Sequence, residues 1–503
     1  MLSLVVIGIA RNLHHPLATQ AHLHPDLTRG RPKLAAMLPP RPRGRHPAES
    51  GYAWKGAVPG ASGRRKLSDD GLGFDRHFAV SAVKVISLIL VLSVATLQAD
   101  DWPQFGGPAR DGVWREKNIM ETLPPDGLMV RWRAAIGGGL SSPIVSGGRV
   151  ILCDSERKQS KAWERIRCFD EKSGEPLWTH TDEVTYPEWA FTPNIDTGPD
   201  GTPIAAGGKV YAVGRFGNLL CLDVGGGAVL WQRDLTEVCG PADSFGTTPS
   251  PLIEGQLLIL VTGGKPDACV LAFDKDTGKE VWRALSDAWT YSSPIVVTAG
   301  GKRQLIVWTP DAITSLDPAT GKTWWREPRT LHGDFAVAAP VAGGGLLLAG
   351  GLMFQLDTDK PTASVLWPED TVKAGRSLSN TSGPILENGF VYSHKSQGSL
   401  VCLDARTGRQ LWEKEKVTDS RNGACIHVIP QGDGTWLFTE QGDLIRVRLT
   451  AKGLEELGRA HLLDPTYLFG GRKVLWSPPA FANRHVVARS GEELVCASLE
   501  AKP

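Results

Sequence analysis

Between residues 128 and 499, short apolar runs alternate with polar turns, and no stretch shows the 3.6-residue spacing of a long amphipathic helix. The clearest unit is Cys402-Leu403-Asp404-Ala405-Arg406-Thr407-Gly408-Arg409-Gln410-Leu411-Trp412. It predicts a β-hairpin in which one strand ends at Asp404, a turn closes on Gly408 and a second strand carries Trp412. The carboxylate can accept backbone N–H groups of the turn, and glycine supplies the positive φ that the loop needs. The unit recurs as Asp170, Gly174 and Trp178; Asp223 and Trp231; Asp274, Gly278 and Trp282; Asp317, Gly321 and Trp325; and, in degenerate form, Asp357 and Trp367.

Successive tryptophans of the repeat are 53, 51, 43, 42 and 45 residues apart. A period of about 40–50 residues with several short strands in each predicts propeller blades. Seven of the eight periods open on a small residue followed by proline, at Ser142-Pro143, Thr202-Pro203, Ser250-Pro251, Ser293-Pro294, Ala339-Pro340, Gly383-Pro384 and Ser477-Pro478, and Ile426-His427 replaces the step in the seventh. The expected fold is all-β, an eight-bladed β-propeller of four-stranded antiparallel blades. In the seventh unit Leu457 stands at the place expected for tryptophan, and the eighth ends one strand short. The segment at about 128–135, with Trp132 in the tryptophan-strand pattern, is expected to supply that strand by pairing with Glu493–Leu499. Such pairing closes the ring and removes both sheet edges.

The beginning of the chain reads differently. Residues 1–79 are rich in Arg, Pro and His and lack the repeat, as expected of a disordered leader or a misplaced start. Val80 to Leu97 is apolar, preceded by Arg76 and followed by Gln98-Ala99, the order of a secretory signal peptide over about 80–99. Residues 100–127, rich in Gly and Pro, are expected to form a strap, and 128–503 the propeller. No cysteine follows the apolar segment closely enough for lipidation, so no stable membrane anchor is expected after cleavage. The expected location is periplasmic or secreted, and the expected state a monomer.

Composition narrows the partners. A net charge of +1 gives no electrostatic footprint for nucleic acid. Seventeen Trp against six Tyr suit rigid wedges between twisted sheets. Of the eight cysteines, Cys168, Cys221, Cys402 and Cys496 occupy equivalent places on different blades and are expected as buried thiols. Strand placement leaves Cys153–Cys168 and Cys239–Cys269 open as bridges.

No phosphate loop, nucleophile elbow or His-Glu-x-x-His pair occurs, and no catalytic or metal-binding residue is assigned. The histidines, His394 and His427 among them, are read as loop or strand-surface residues, and Arg472-Lys473 as a solvated face. The loops entering each innermost strand form the mouth of the funnel, and they carry mixed aromatic, acidic and basic residues. The candidate ligand-binding set there is Trp189, Asp196, Asp243, Tyr291, His332, Asp334, Arg376, Asn380, Arg421 and Trp476.

The Leu-Asp-x-x-Thr-Gly-x-x-x-Trp repeat resembles that of the pyrroloquinoline-quinone-like propellers. These include the quinoprotein alcohol dehydrogenases and the propeller lipoprotein of the outer-membrane β-barrel assembly machinery. The opening Asp101-Trp102-Pro103-Gln104-Phe105-Gly106-Gly107-Pro108 resembles secreted propellers of planctomycete-type bacteria. The resemblance implies the fold and says little of activity, because the motif marks a hairpin and not a site. The dehydrogenases carry an adjacent Cys-Cys disulfide over the quinone and hold Ca²⁺ with Glu, Asn and Asp. This chain has no adjacent cysteines, and Asp243, Asp334 and Asn380 fall in no matching motif. The expectation is therefore a non-catalytic binding scaffold without cofactor, taking a periplasmic or cell-surface protein or a small ligand. The alternatives are a quinoprotein oxidoreductase using pyrroloquinoline quinone with calcium, and a polysaccharide-active propeller enzyme.

Overall fold

Eight four-stranded antiparallel sheets succeed one another around a ring in the computed structural model, joined by a small two-stranded ribbon, Tyr467–Phe469 with Arg472–Val474. The structure describes residues 100–191, 198–240, 249–329, 337–368, 378, 381–418, 423–469 and 471–501. Blade 1 consists of Ile144–Ser146, Arg149–Lys158, Lys161–Asp170 and Pro176–Val184, innermost strand first. Blades 2 to 7 follow in the same order over 204–234, 252–284, 295–328, 341–368, 385–414 and 426–461. Blade 8 is built from both ends of the fold: Val130–Ala135 pairs antiparallel with Glu493–Ser498, which continues through His485–Arg489 to Ala480–Ala482. The expected closure is present, two residues further along the first strand than Leu128.

The buried apolar residues cluster in the seams between blades. Ile151, Cys168 and Ile166 of blade 1 pack with Val210 and Leu222 of blade 2. Tyr211 and Leu219 of blade 2 pack in turn with Leu258 and Phe273 of blade 3. Each seam repeats this arrangement because a strand's two faces serve two neighbours, so the strands read as nearly continuous apolar runs.

The repeat residues lock these seams. Asp404 Oδ1 accepts the backbone N–H groups of Arg406 and Thr407 at 3.1 and 2.9 Å, and the Thr407 hydroxyl at 2.7 Å. Asp170 and Asp274 make the same turn, and these bonds hold all three carboxyls below their usual range. Across six of the eight seams, a tryptophan donates its indole N–H to the next blade's hairpin. Trp132 reaches Glu171 O at 2.8 Å, Trp178 Val224 O at 3.0 Å, Trp231 Lys275 O at 3.1 Å and Trp367 Ala405 O at 2.9 Å. The rings lie on the hairpin glycines: a Cβ at Gly278 would come 2.6 Å from the Trp231 ring, and one at Gly227 2.5 Å from the Trp178 ring.

Two irregular units show why the pattern breaks. Blade 5 closes its hairpin without glycine, so Trp325 of blade 4 turns back and donates to Gln304 Oε1 of its own blade at 2.9 Å. In blade 7 the residue opposite the tryptophan partner position is Gly458, paired with Arg446; Leu457 is the bulged residue beside it. This corrects the expected equivalence of Leu457 by one place. Blade 8 has no hairpin between its two outer strands, since they come from opposite ends of the fold, so nothing there could receive an indole. Leu123 occupies the space instead, with its Cβ 3.1 Å from where a Cβ of Gly458 would stand.

The small-Pro steps also have a physical role. The Ser142 N–H donates to Thr202 Oγ1, the Thr202 N–H to Ser250 Oγ and the Ser250 N–H to Ser293 Oγ, at 3.3, 3.0 and 3.0 Å. These bonds stitch adjacent innermost strands where proline cannot donate. Residues 100–127 lie against the innermost strands, touching some at their far ends and others at the small-Pro steps. Asp101 accepts from the Gly147 N–H, the Trp114 N–H donates to Pro430 O, and the Arg110 guanidinium donates to the carbonyls of Ser250, Pro251 and Pro294.

All eight cysteines are free thiols, so neither Cys153–Cys168 nor Cys239–Cys269 is bridged. In the first pair the register sets Cys153 opposite Ile166 and Cys168 opposite Ile151, two places out of step. Seven are buried; Cys239 is half-buried. Residues 1–99, with the leader and signal-peptide assignments, lie outside the described residues. Among the described residues no helix is long and apolar enough to cross a membrane.

Candidate functional site

The loops that enter the innermost strands share one side of the ring with the turns that follow the second strands. Of the ten candidate residues, Asp196, Asp243, His332, Asp334, Arg376, Asn380 and Arg421 lie outside the described residues. Trp189 falls on a single-turn 3-10 helix, Glu188–Phe191. Tyr291 stands edge-on to Trp289, ring centroids 5.1 Å apart. Trp476 packs against Phe469 and Tyr467 of the ribbon at 4.6 and 5.3 Å, and its indole N–H donates to Gly423 O at 3.3 Å. Gly423 has no alternative: a Cβ there would lie 2.7 Å from the Phe469 ring. Tyr291 and Trp476 therefore belong to two aromatic groups that enter different blades, one at 289–291 and one at 467–476, and Trp189 stands apart from both.

Sequence reasoning missed a second tier of residues at the exits of the second strands, where a polar side chain ends an apolar run. In blade 1 the fully buried Asp154 accepts from Arg165 at 2.6 and 2.9 Å and from the Gly137 N–H at 2.8 Å. In blade 2 the Arg215 guanidinium donates to Asp200 Oδ2 at 2.7 Å and Gly198 O at 2.9 Å. The Arg215 backbone N–H donates to Glu164 Oε1 at 3.0 Å, which also accepts the Tyr186 hydroxyl at 2.8 Å. Burial pushes the Glu164 and Asp200 carboxyls up; the hydrogen bonds and Arg215 act against that rise. In blade 4 the Thr309 hydroxyl donates to Asp287, which also takes a two-pronged contact from Arg326 at 2.9 and 3.0 Å.

The other side of the ring repeats the device. His394 ends the second strand of blade 6, is 1% exposed and pairs with the Ser382 hydroxyl at 2.8 Å. This corrects its reading as a surface histidine. Burial pushes it down to about 3. His427, half-buried and also displaced from the expected surface position, sits 3.1 Å from Trp476 O. Glu440 of blade 7 accepts from Thr418 Oγ1 at 3.0 Å and faces Arg472 at 3.5 Å, so Arg472 is not part of a solvated face; Lys473 is exposed. Arg489 of blade 8 donates to the carbonyls of Gly137, Ser141 and Cys153. Each group ties an entering loop to the blade beneath it. The sequence signal was a charged or polar residue closing a second-strand run, as in Leu152-Cys153-Asp154, Phe438-Thr439-Glu440 and Val487-Ala488-Arg489.

The donor set implied for a quinone and calcium was tested against these residues. The cysteines are single thiols on separate strands and loops, and among the described residues no three His, Cys, Asp or Glu side chains converge as metal ligands. The described residues do not fit that group, and Asp243, Asp334 and Asn380 lie outside them.

Comparison with known proteins places the fold. An outer membrane protein assembly factor BamB of Burkholderia pseudomallei is 27% identical over 44% of this chain and 57% of its own length. A quinohemoprotein alcohol dehydrogenase of Comamonas testosteroni is 22% identical over 63% of this chain and 39% of its own length. The chain thus matches well under two thirds of either relative. Among solved structures, BamB from Moraxella catarrhalis superposes with a TM-score of 0.53 at 16% identity, covering 75% of this chain and 99% of that one. The Comamonas testosteroni dehydrogenase does so with 0.55 at 16% identity, covering 85% and 84%. Residues 162–414, from the third strand of blade 1 to the end of blade 6, match the family model described as outer membrane protein assembly factor BamB, and the chain belongs to that family of pyrroloquinoline-quinone-like propellers.

Proposed function

We propose that this protein is a non-catalytic propeller scaffold that binds a protein partner at the loop side of its ring. The observation that supports the reading is the direction of the buried polar groups. Asp154, Arg215, Asp287, Glu440 and Arg489 each spend their hydrogen bonds on the protein's own loops. The described loop segments braced in this way lose little freedom on association, which favours recognition. The aromatic group Tyr467, Phe469 and Trp476 supplies the rigid, amphipathic contact area common in protein interfaces. Relatives named as outer membrane protein assembly factors are in keeping with a protein partner. We place the scaffold in the periplasm or outside the cell, as a monomer released by cleavage after about residue 99.

The test is site-specific photo-crosslinking in cells, with the crosslinker at position 467 on the loop side and at position 172 in the hairpin of blade 1. A discrete protein adduct from 467 and none from 172 is expected. Tight stoichiometric binding of pyrroloquinoline quinone and Ca²⁺ to the purified protein, with dye-linked alcohol oxidation, would overturn the scaffold reading in favour of an oxidoreductase.

A further inference from the structure

A cavity of about 260 Å³ opens between blades 2 and 3 on the loop side, and it belongs to neither aromatic group's packing alone. Its apolar walls are Phe216, Leu235 and Trp289. The backbone is built for that wall: Gly263 runs so close to residue 289 that a Cβ would lie 2.3 Å from Trp289 Cα. The polar groups at the base are already committed. Asp287 is paired with Arg326 and Thr309, and Thr262 Oγ1 donates to Ala268 O at 2.8 Å. Lys265, which also lines the cavity, is exposed and makes no ion pair among the described residues. The cavity therefore offers aromatic and aliphatic surface together with a single uncommitted cation.

We propose that this cavity binds a small aromatic carboxylate, its ring against Phe216 and Trp289 and its carboxylate at the Lys265 ammonium. The volume lies just below the range of drug-sized pockets, about 300–1,000 Å³, and suits a ligand with one or two rings. The site is independent of the partner surface at 467–476.

Cys239 gives a direct readout. It lines the cavity, with Sγ 3.5 Å from Thr262 Oγ1, and is half-buried while the other seven thiols are buried. The rate of its alkylation by iodoacetamide is followed by peptide mass spectrometry on the purified protein, with indole-3-acetate and with uncharged indole as probes. Indole-3-acetate is expected to protect Cys239 at a concentration about fivefold lower than indole does, the preference an exposed ion pair supplies. Lys265→Met, a surface change, is expected to abolish that preference while leaving protection by indole. Absence of protection by either probe, equal protection by both in the wild type, or a preference that survives Lys265→Met would each overturn the proposal.

Discussion

The indole N–H of Trp282 donates to the carbonyl of Pro318 at 3.1 Å, across the seam between blades 3 and 4. The ring lies on Gly321, whose φ of 73° and missing Cβ make room for it; a Cβ there would stand 2.6 Å from the indole. One tryptophan thus joins a hydrogen bond, a buried ring and a turn conformation at one seam. In the next seam Trp325 is half-buried against Phe354 of blade 5, ring centroids 5.4 Å apart, and neither lies on a hairpin glycine nor donates to the hairpin of blade 5.

That contrast sets a pair of substitutions against each other. Trp282→Ala is expected to cost about 3–5 kcal/mol of stability, the usual range for a buried Trp. Trp325→Ala should cost about 1–2 kcal/mol, since it removes less buried area and an intrablade bond. Urea unfolding followed by circular dichroism measures both. Equal costs would show that the seam contact is not what the tryptophan provides.

The hairpin glycines allow a parallel comparison. Gly321→Ala meets both a positive φ and the indole, whereas Gly255→Ala has a φ of 58° but open space around it. The second is expected to cost about 1–2 kcal/mol for the left-handed backbone alone. The first should exceed it, since either the ring or the turn must move. Thermal midpoints of the two variants decide the order.

Asp287 and Arg326 brace the loop between blades 3 and 4. Arg326→Met leaves the carboxylate, itself 7% exposed, with only Thr309, and is expected to cost about 3–5 kcal/mol. Adding Asp287→Asn should recover a large part of that loss, because the stranded charge is gone. A double-mutant cycle by urea unfolding reads the coupling. Additive costs would mean the pair does not hold the loop.

His394 makes stability depend on pH. Burial holds it neutral, with its proton affinity down at about 3, while in the unfolded chain it titrates near the ordinary value of about 6.5. The unfolded state therefore binds more protons as pH falls, and stability is lost from about pH 6.5 downwards, by about 3 kcal/mol at pH 4. Glu164 and Asp200, whose carboxyls are raised by burial, act in the opposite sense, so the wild type alone does not isolate the histidine. The unfolding midpoint of wild type minus that of His394→Asn, measured from pH 7 to pH 4, is expected to fall with acidification. A flat difference would remove His394 as the cause.

Local rules explain what was legible. The Asp-turn-Gly-Trp hairpin is a contiguous stretch whose chemistry is complete within eleven residues, so its register and its repetition could be read directly. The closing strand was readable because Trp132 lacked a hairpin partner and Glu493–Leu499 lacked a neighbour. The error at Leu457 came from counting residues across a bulge, which inserts one place without any mark in composition. His394 and Arg472 were misread because nothing near them in sequence shows that Ser382 and Glu440 will meet them.

By itself, the sequence determined the blade, its number of copies and the way the ring closes, since these follow from strand periodicity, turn chemistry and the need to pair two free strands. The tertiary structure decided which side chains face each other across seams and loops. It set Trp282 on Gly321, Asp287 on Arg326 and Lys265 beside an apolar cavity. Those contacts join residues from different blades, where distance is set by the curvature of the ring and the twist of each sheet, and neither is written in any one repeat.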